Sequence, residues 1–127
     1  MVLIGIAAVS FRGLDQEQVL TRYAVDIQDL AGQARRTAIS EGNPVFLQVG
    51  TSAVRARDYQ LPFADCTLEV RRWGSTKWVS PANFAWRFEP NGVCEPIGLR
   101  VIRGDASYEM QFHPLTAMPQ EERLWIP

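Results

Sequence analysis

The stretch Ala34-Arg35-Arg36-Thr37-Ala38-Ile39-Ser40-Glu41-Gly42-Asn43-Pro44-Val45-Phe46-Leu47-Gln48-Val49 decides the fold. Before Gly42 the apolar residues recur every three or four positions, as on one side of an α-helix. Gly42 followed by Asn43-Pro44 is a stop signal, a glycine in the C′ position and then a residue that cannot continue the helix. After Pro44 the period drops to two, and Val45–Val49 reads as a short strand ended by Gly50.

Towards the N-terminus the helical spacing continues. From Leu14 to Glu41 there is no proline, and Gly32 is the only glycine. Leu20, Tyr23, Ile27, Leu30, Ala34 and Ala38 form the stripe expected to pack on a sheet, while Arg22, Asp26, Asp29, Gln33 and Arg36 read as solvent-facing. Asp15 with Gln18 three residues on has the pattern of a capping box. A helix over these residues is roughly 40 Å long at 1.5 Å per residue. The first eleven residues, Met1 to Phe11, carry no charge. They are about half of the ~20 apolar residues that a membrane span needs. They also lack the leading positive charge and trailing cleavage site of an export signal. They are either a buried start of the fold or the far half of a longer anchor. If they join the helix the rod is longer, and Gly13 is a point where it can kink or break.

Towards the C-terminus the chain reads as β. Ala53 to Tyr59 is expected as a hairpin partner of the first strand. Cys66 to Arg71 alternates with Cys66, Leu68 and Val70 inward, Gly74-Ser75 turns, and Lys77-Trp78-Val79 resumes. Phe84, Trp86 and Phe88 share one face, and Pro90-Asn91-Gly92 turns. Ile97, Leu99 and Val101 alternate with Gly98, Arg100 and Ile102. Arg103-Gly104-Asp105 is the next turn, and its match to an adhesive tripeptide is outweighed by the frequency of Gly-Asp in hairpins. Tyr108, Met110 and Phe112 alternate with Glu109, Gln111 and His113, and Pro114 closes that strand. Met118 to Pro127 is a final edge strand or a frayed tail. Strands at such spacing suggest an antiparallel sandwich or barrel, or a sheet domain, with the helix covering one sheet face. The expected class is α+β: a helix over 1–42, of which 1–11 is the apolar segment, and a β region over 43–127, together one domain.

The chemical inventory is poor in catalysts. His113 is the only histidine, and no nucleophile, metal or phosphate-binding motif accompanies it. A β enzyme or ligand binder would need a pocket with converging polar groups near it. Neither a cofactor nor a metal is expected, and two cysteines do not make a zinc framework. Cys66 and Cys94 are one disulfide if the chain meets an oxidising compartment, or two small buried hydrophobes in a reducing one. The 13 basic and 14 acidic residues leave a net charge of −1, which lacks the strong field of a dedicated nucleic-acid binder. The β region is nonetheless mildly basic, and Trp73 and Trp78 flank Lys77. Arg71, Arg72, Lys77, Arg100 and Arg103 are the candidate nucleic-acid contacts, although an arginine-rich solvated sheet gives the same set.

Three stretches carry a family resemblance. Val2 to Val9 is similar to the second half of the membrane helix of type IV pilin-like proteins. Ala31 to Val45 resembles the helix end of the GspH/FimT minor pseudopilins, where Ala-Arg and then Ala-Ile lead to a turn and Pro-Val. Phe88-Glu89-Pro90-Asn91-Gly92, the Ile97–Val101 strand and Tyr108–Thr116 resemble that family's F-x-P-x-G turn and a late strand ending in Pro-Leu-Thr. No prepilin-peptidase motif is present, so the chain is expected to be N-terminally truncated within the membrane helix. Ala117 stands where the family usually has glycine. The resemblance implies a pilin-like fold and a non-enzymatic structural subunit of a type II secretion-like pseudopilus, serving protein export. It implies a single-pass protein of the inner membrane with its globular part in the periplasm, and other pseudopilins as partners. Val2, Leu3, Ile4, Ile6, Val9 and Phe11 would then pack in the membrane and the filament. The alternative within the same fold is a minor pilin of a type IV pilus or competence system that binds DNA. Nucleic acid and small-molecule substrates are not the expected partners.

Overall fold

A computed structural model describes the backbone of residues 2–127 and side chains from residue 15 onward. Helix α1 runs Val2–Glu41 without interruption, 40 residues or about 60 Å at 1.5 Å each, so Gly13 does not break it. The side chains of Val2, Leu3, Ile4, Ile6, Val9 and Phe11 lie outside the described residues. The capping box expected at Asp15 is a misreading. A cap residue must leave the helical conformation, and Asp15 is inside α1, where its carboxylate accepts from Arg103 Nη1 at 2.8 Å. The C-terminal stop forms as read: Gly42 takes φ +70° and its N–H bonds to the Ala38 carbonyl at 3.0 Å, the single-bond left-handed cap.

Eight strands follow: β1 Val45–Val49, β2 Ala53–Arg55, β3 Gln60–Pro62, β4 Thr67–Arg72, β5 Phe84–Phe88, β6 Ile97–Arg103, β7 Ala106–Phe112 and β8 Pro119–Trp125. They form two four-stranded antiparallel sheets, ordered β3-β2-β1-β5 and β4-β6-β7-β8. The molecule is therefore α+β, with one N-terminal helix and antiparallel sheets. The segment expected as one hairpin partner splits into β2 and β3, because the chain turns where Ala56 N–H bonds to Tyr59 O at 2.7 Å. Lys77–Val79 does not resume a strand. It makes one bridge, Val79 to Val70, and consecutive left-handed residues Ala82 (φ 49°) and Asn83 (φ 61°) follow. The last segment is an edge strand, β8. The turn before it holds Ala117 at φ +56°, the left-handed conformation that a glycine would take without strain.

One core joins helix and sheets. Leu20, Tyr23, Ile27, Leu30, Ala34 and Ala38 are buried, with Ala24 and Ala31 beside them, and α1 packs on β1 and β5 of one sheet and on β6 and β7 of the other. Trp86 on β5 sits at the meeting point. Its ring lies 4.7 Å from Phe112 of the second sheet and 4.8 Å from Phe88, and its Nε1 donates to Glu95 O at 2.8 Å. On the helix side of β8, the Glu122 carboxylate accepts from Gln28 Nε2 (2.7 Å) and Tyr108 Oη (2.8 Å).

Trp86→Ala should cost about 3–5 kcal/mol in urea unfolding, since it opens a cavity between the sheets and orphans the Glu95 carbonyl. Burial and then the Glu122 carboxylate push the Tyr108 hydroxyl up to about 12 from an ordinary 10.0. Folding thus favours the protonated phenol: its stabilisation is complete below pH 10 and lost as pH rises through the folded value. Ultraviolet titration should show Tyr108 ionising late, and Glu122→Gln should lower its midpoint in part, since burial remains.

Candidate interaction surface

The outer face of the second sheet carries two of the five predicted basic residues, Arg71 and Arg100, and its register sets their neighbours. Glu69 opposes Arg100, Arg100 opposes Glu109, and Glu109 opposes Arg123, so one row across β4, β6, β7 and β8 alternates in charge. Arg100 donates to Glu69 through Nε (2.9 Å) and Nη2, and to Glu109 through Nη1 (3.4 Å). Opposite charges facing across strands are the stabilising arrangement on a sheet. The next row places Arg71 opposite Gly98 and Gln111 opposite Glu121.

Trp78 lies over this second row. The bridge to Val70, with N···O distances of 2.8 and 2.9 Å, folds the β4–β5 connection back along β4. The indole then covers Gly98, where a Cβ would come within 3.0 Å of the ring. The guanidinium carbons of Arg71 and Arg100 stand 4.6 and 4.8 Å from the Trp78 ring centre, within range of a cation–π attraction. Gly98 shares its strand face with Arg100, on the side opposite Leu99 and Val101. A glycine inside a strand signals a close approach by another group, and here that group is Trp78.

The five candidate nucleic-acid residues do not gather into one unpaired basic face. Arg72 meets Glu95 at 3.4 Å and lies over Phe84. Arg103, at the opposite end of the sheet, joins Asp15 and Gln16 of α1. Arg100 holds two carboxylates, and Arg71 reaches Gln111 Oε1 at 3.4 Å. Lys77 is exposed and joins none of the ion pairs among the described residues.

Two of the resembling stretches meet at the other end of α1. The Pro90-Asn91-Gly92 turn docks on the helix: Arg35 Nε donates to Gly92 O at 3.1 Å, and Gly92 holds φ +90°. A Cβ on Gly92 would stand 3.1 Å from Arg35 Nη2 and 3.4 Å from Ile39 Cδ1. Both the backbone angle and the close approach call for glycine here.

Concavities are open grooves. One of about 470 Å³ runs between α1 and β3, with Asp26, Asp29, Gln33 and Arg36 facing the exposed Tyr59. His113 Nδ1 accepts the Leu115 N–H at 3.0 Å, a local turn contact. Among the described residues no His/Cys/Asp/Glu group could hold a metal, and no helix is long and apolar enough to cross a membrane.

Of the two readings open for Cys66 and Cys94, the register favours the unbonded one. Cys66 and Cys94 are both free and buried. Cys66 precedes the Thr67–Ile102 end of the β4–β6 pairing. Cys94 lies before Ile97, beyond the Arg72 end, where its N–H bonds Pro114 O. The intervening rungs span about 17 Å at ~3.3 Å per residue, against a Cα separation of less than about 7 Å in a disulfide. Burial raises both thiols. It pushes Cys94 to about 11 against the opposing charge of Arg35, and it raises Cys66 against that of Arg103.

Comparison of the chain with protein-family models, with curated proteins and with solved structures finds no match. Thiol labelling should find two reactive cysteines per unfolded chain and close to none in the native protein, since a buried protonated thiol is a poor nucleophile.

Proposed function

We propose that this chain is a minor pseudopilin of the GspH/FimT type, a structural subunit of a type II secretion-like pseudopilus that serves protein export. The observation that carries the reading is the docked turn. The Ala-Arg…Ala-Ile helix end and the F-x-P-x-G turn are 57 residues apart at Arg35 and Gly92, yet they are in direct contact. The resemblance drawn from separate stretches thereby acquires a spatial reason, because Gly92 is the residue that lets the turn seat on Arg35 and Ile39. A continuous 40-residue helix with its later part packed on two antiparallel sheets is compatible with a pilin-like subunit.

In this role α1 supplies packing against neighbouring subunits at the inner membrane, and the β surface in the periplasm recognises partners. No bond chemistry is required in this role, and Nδ1 of the lone histidine, His113, is taken by the Leu115 N–H. A DNA-binding pilin is less well supported, because Arg72, Arg100 and Arg103 are already committed to carboxylates.

Crosslinking in membranes of the native host, read by mass spectrometry, should yield adducts with other pilin-like subunits, and deleting the gene should impair export of a folded substrate. Recovery of the chain without such adducts, together with unimpaired export, would overturn the proposal. Duplex DNA binding that weakens steeply with salt would favour the DNA-uptake alternative.

A further inference from the structure

Antiparallel sheets end in edge strands whose free backbone groups can pair with another chain. Three of the four edges here are covered or short. The outer edge of β4 bonds Val79 through Val70 and Thr51 through Leu68. On that of β5, Arg87 O accepts from Glu95 N–H and Phe88 bridges Cys94 as the chain returns after the Gly92 turn. Strand β3 has three residues and ends in Pro62. The fourth edge, β8, has seven residues, and none of the described residues pairs with its outer side.

We propose that β8 is a docking strand for a second copy of this chain, paired antiparallel about a two-fold axis at Glu122. The charge order commits the site to that occupant. Glu121 and Arg123 lie on the outer face, opposite Gln111 and Glu109 of β7. A two-fold at Glu122 sets Glu121 against Arg123 of the second copy, and Arg123 against Glu121 of the second copy. Shifting the register by one rung pair sets Glu121 against Glu121, or Arg123 against Arg123. Both shifts are repulsive across a strand pair. The alternating row Glu69–Arg100–Glu109–Arg123 is then continued without a break by Glu121 of the second copy. An isologous contact of this kind closes as a dimer with a single eight-stranded sheet.

The helix side of the strand is compatible. Glu122 faces Glu122 of the second copy, one like-charge pair set against the two opposite-charge pairs of the outer face, and each carboxylate is held towards its own Gln28 and Tyr108. At the ends of the pairing Trp125, about half exposed, lies opposite the bulged Pro119–Gln120 segment of the other copy and can cover it. One strand pair buries less than the ~1,200 Å² of a stable interface, so the dimer is a weak one.

The test uses the full 127-residue chain in sedimentation equilibrium at neutral pH and low salt, at up to hundreds of micromolar, roughly where a contact this small is populated. The expected species is a reversible dimer of twice the 14.3 kDa chain mass, and a strictly monomeric protein overturns the proposal. Glu121→Arg alone and Arg123→Glu alone should each weaken association by about tenfold or more, because both cross-strand pairs become repulsive. An equimolar mixture of E121R and R123E should dimerise again, because one variant offers two positive charges where the other offers two negative ones. Circular dichroism of each variant separates lost pairing from lost folding, and recovery in the mixture requires folded partners. Association that survives both single variants runs through another surface, such as the helix, and overturns the proposal. Failure of the mixture to recover, with both variants folded, does so as well. None of these outcomes depends on the pseudopilin reading.

Discussion

Helix α1 touches both sheets at once, and its small side chains decide how close they come. Ala24, Ala31, Ala34 and Ala38 are buried beside Leu20, Ile27 and Leu30. An alanine leaves room for the backbone of the helix to approach the strands, and a close-packed interior tolerates little extra volume at such a contact. The two sheets share no continuous ladder. They are held as one body by the helix that spans them and by the Trp86–Phe112 contact between them. Every surface feature of the molecule inherits its position from that packing, including the seat of the Gly92 turn and the register of β8 against Gln28.

Electrostatics acts on top of this frame by pairing, since the net charge is close to zero. Several acidic residues lie where arginines reach them: Glu69 and Glu109 with Arg100, Glu95 with Arg72, Asp15 with Arg103. Pairs as exposed as most of these contribute little each to stability. Their effect is rather on what the surface can bind, because an arginine between two carboxylates presents no free positive field to a phosphate. The composition counted those arginines as a mildly basic region, whereas the register shows that their charge is locally answered.

The parts of the fold that depend on short-range pattern were legible in the sequence. The spacing from Leu20 to Ala38, the alternation in β4, β6 and β7, and the stops at Gly42, Gly92 and Gly104 are local signals, and each has its structural counterpart. What escaped depends on partners distant in sequence or on backbone angles that carry no marker. Asp15 resembles a cap until Arg103, 88 residues away, takes its carboxylate. Ala82, Asn83 and Ala117 adopt positive φ without being glycine, so the end of the Val79 bridge and the final turn could not be read from residue type. The alternating row across the second sheet needs three registers and a bulge to assemble, and no single strand displays it. The cysteine pairing was open in sequence because it depends on which end of the sheet each residue reaches.

The four tryptophans carry a practical consequence. Trp86 is sealed in the core, Trp78 is half-buried beside two guanidinium groups, and Trp73 and Trp125 are exposed near opposite ends of the second sheet. The chain thus holds four indole chromophores in distinct dielectric surroundings. Emission from Trp86 reports the integrity of the core, and emission from Trp78 reports the electrostatics of the sheet face. Trp125 reports the open strand edge, and Trp73 the tip of the β4–β5 connection. Single-tryptophan versions of the protein would turn each of these places into its own spectroscopic channel, with no added label.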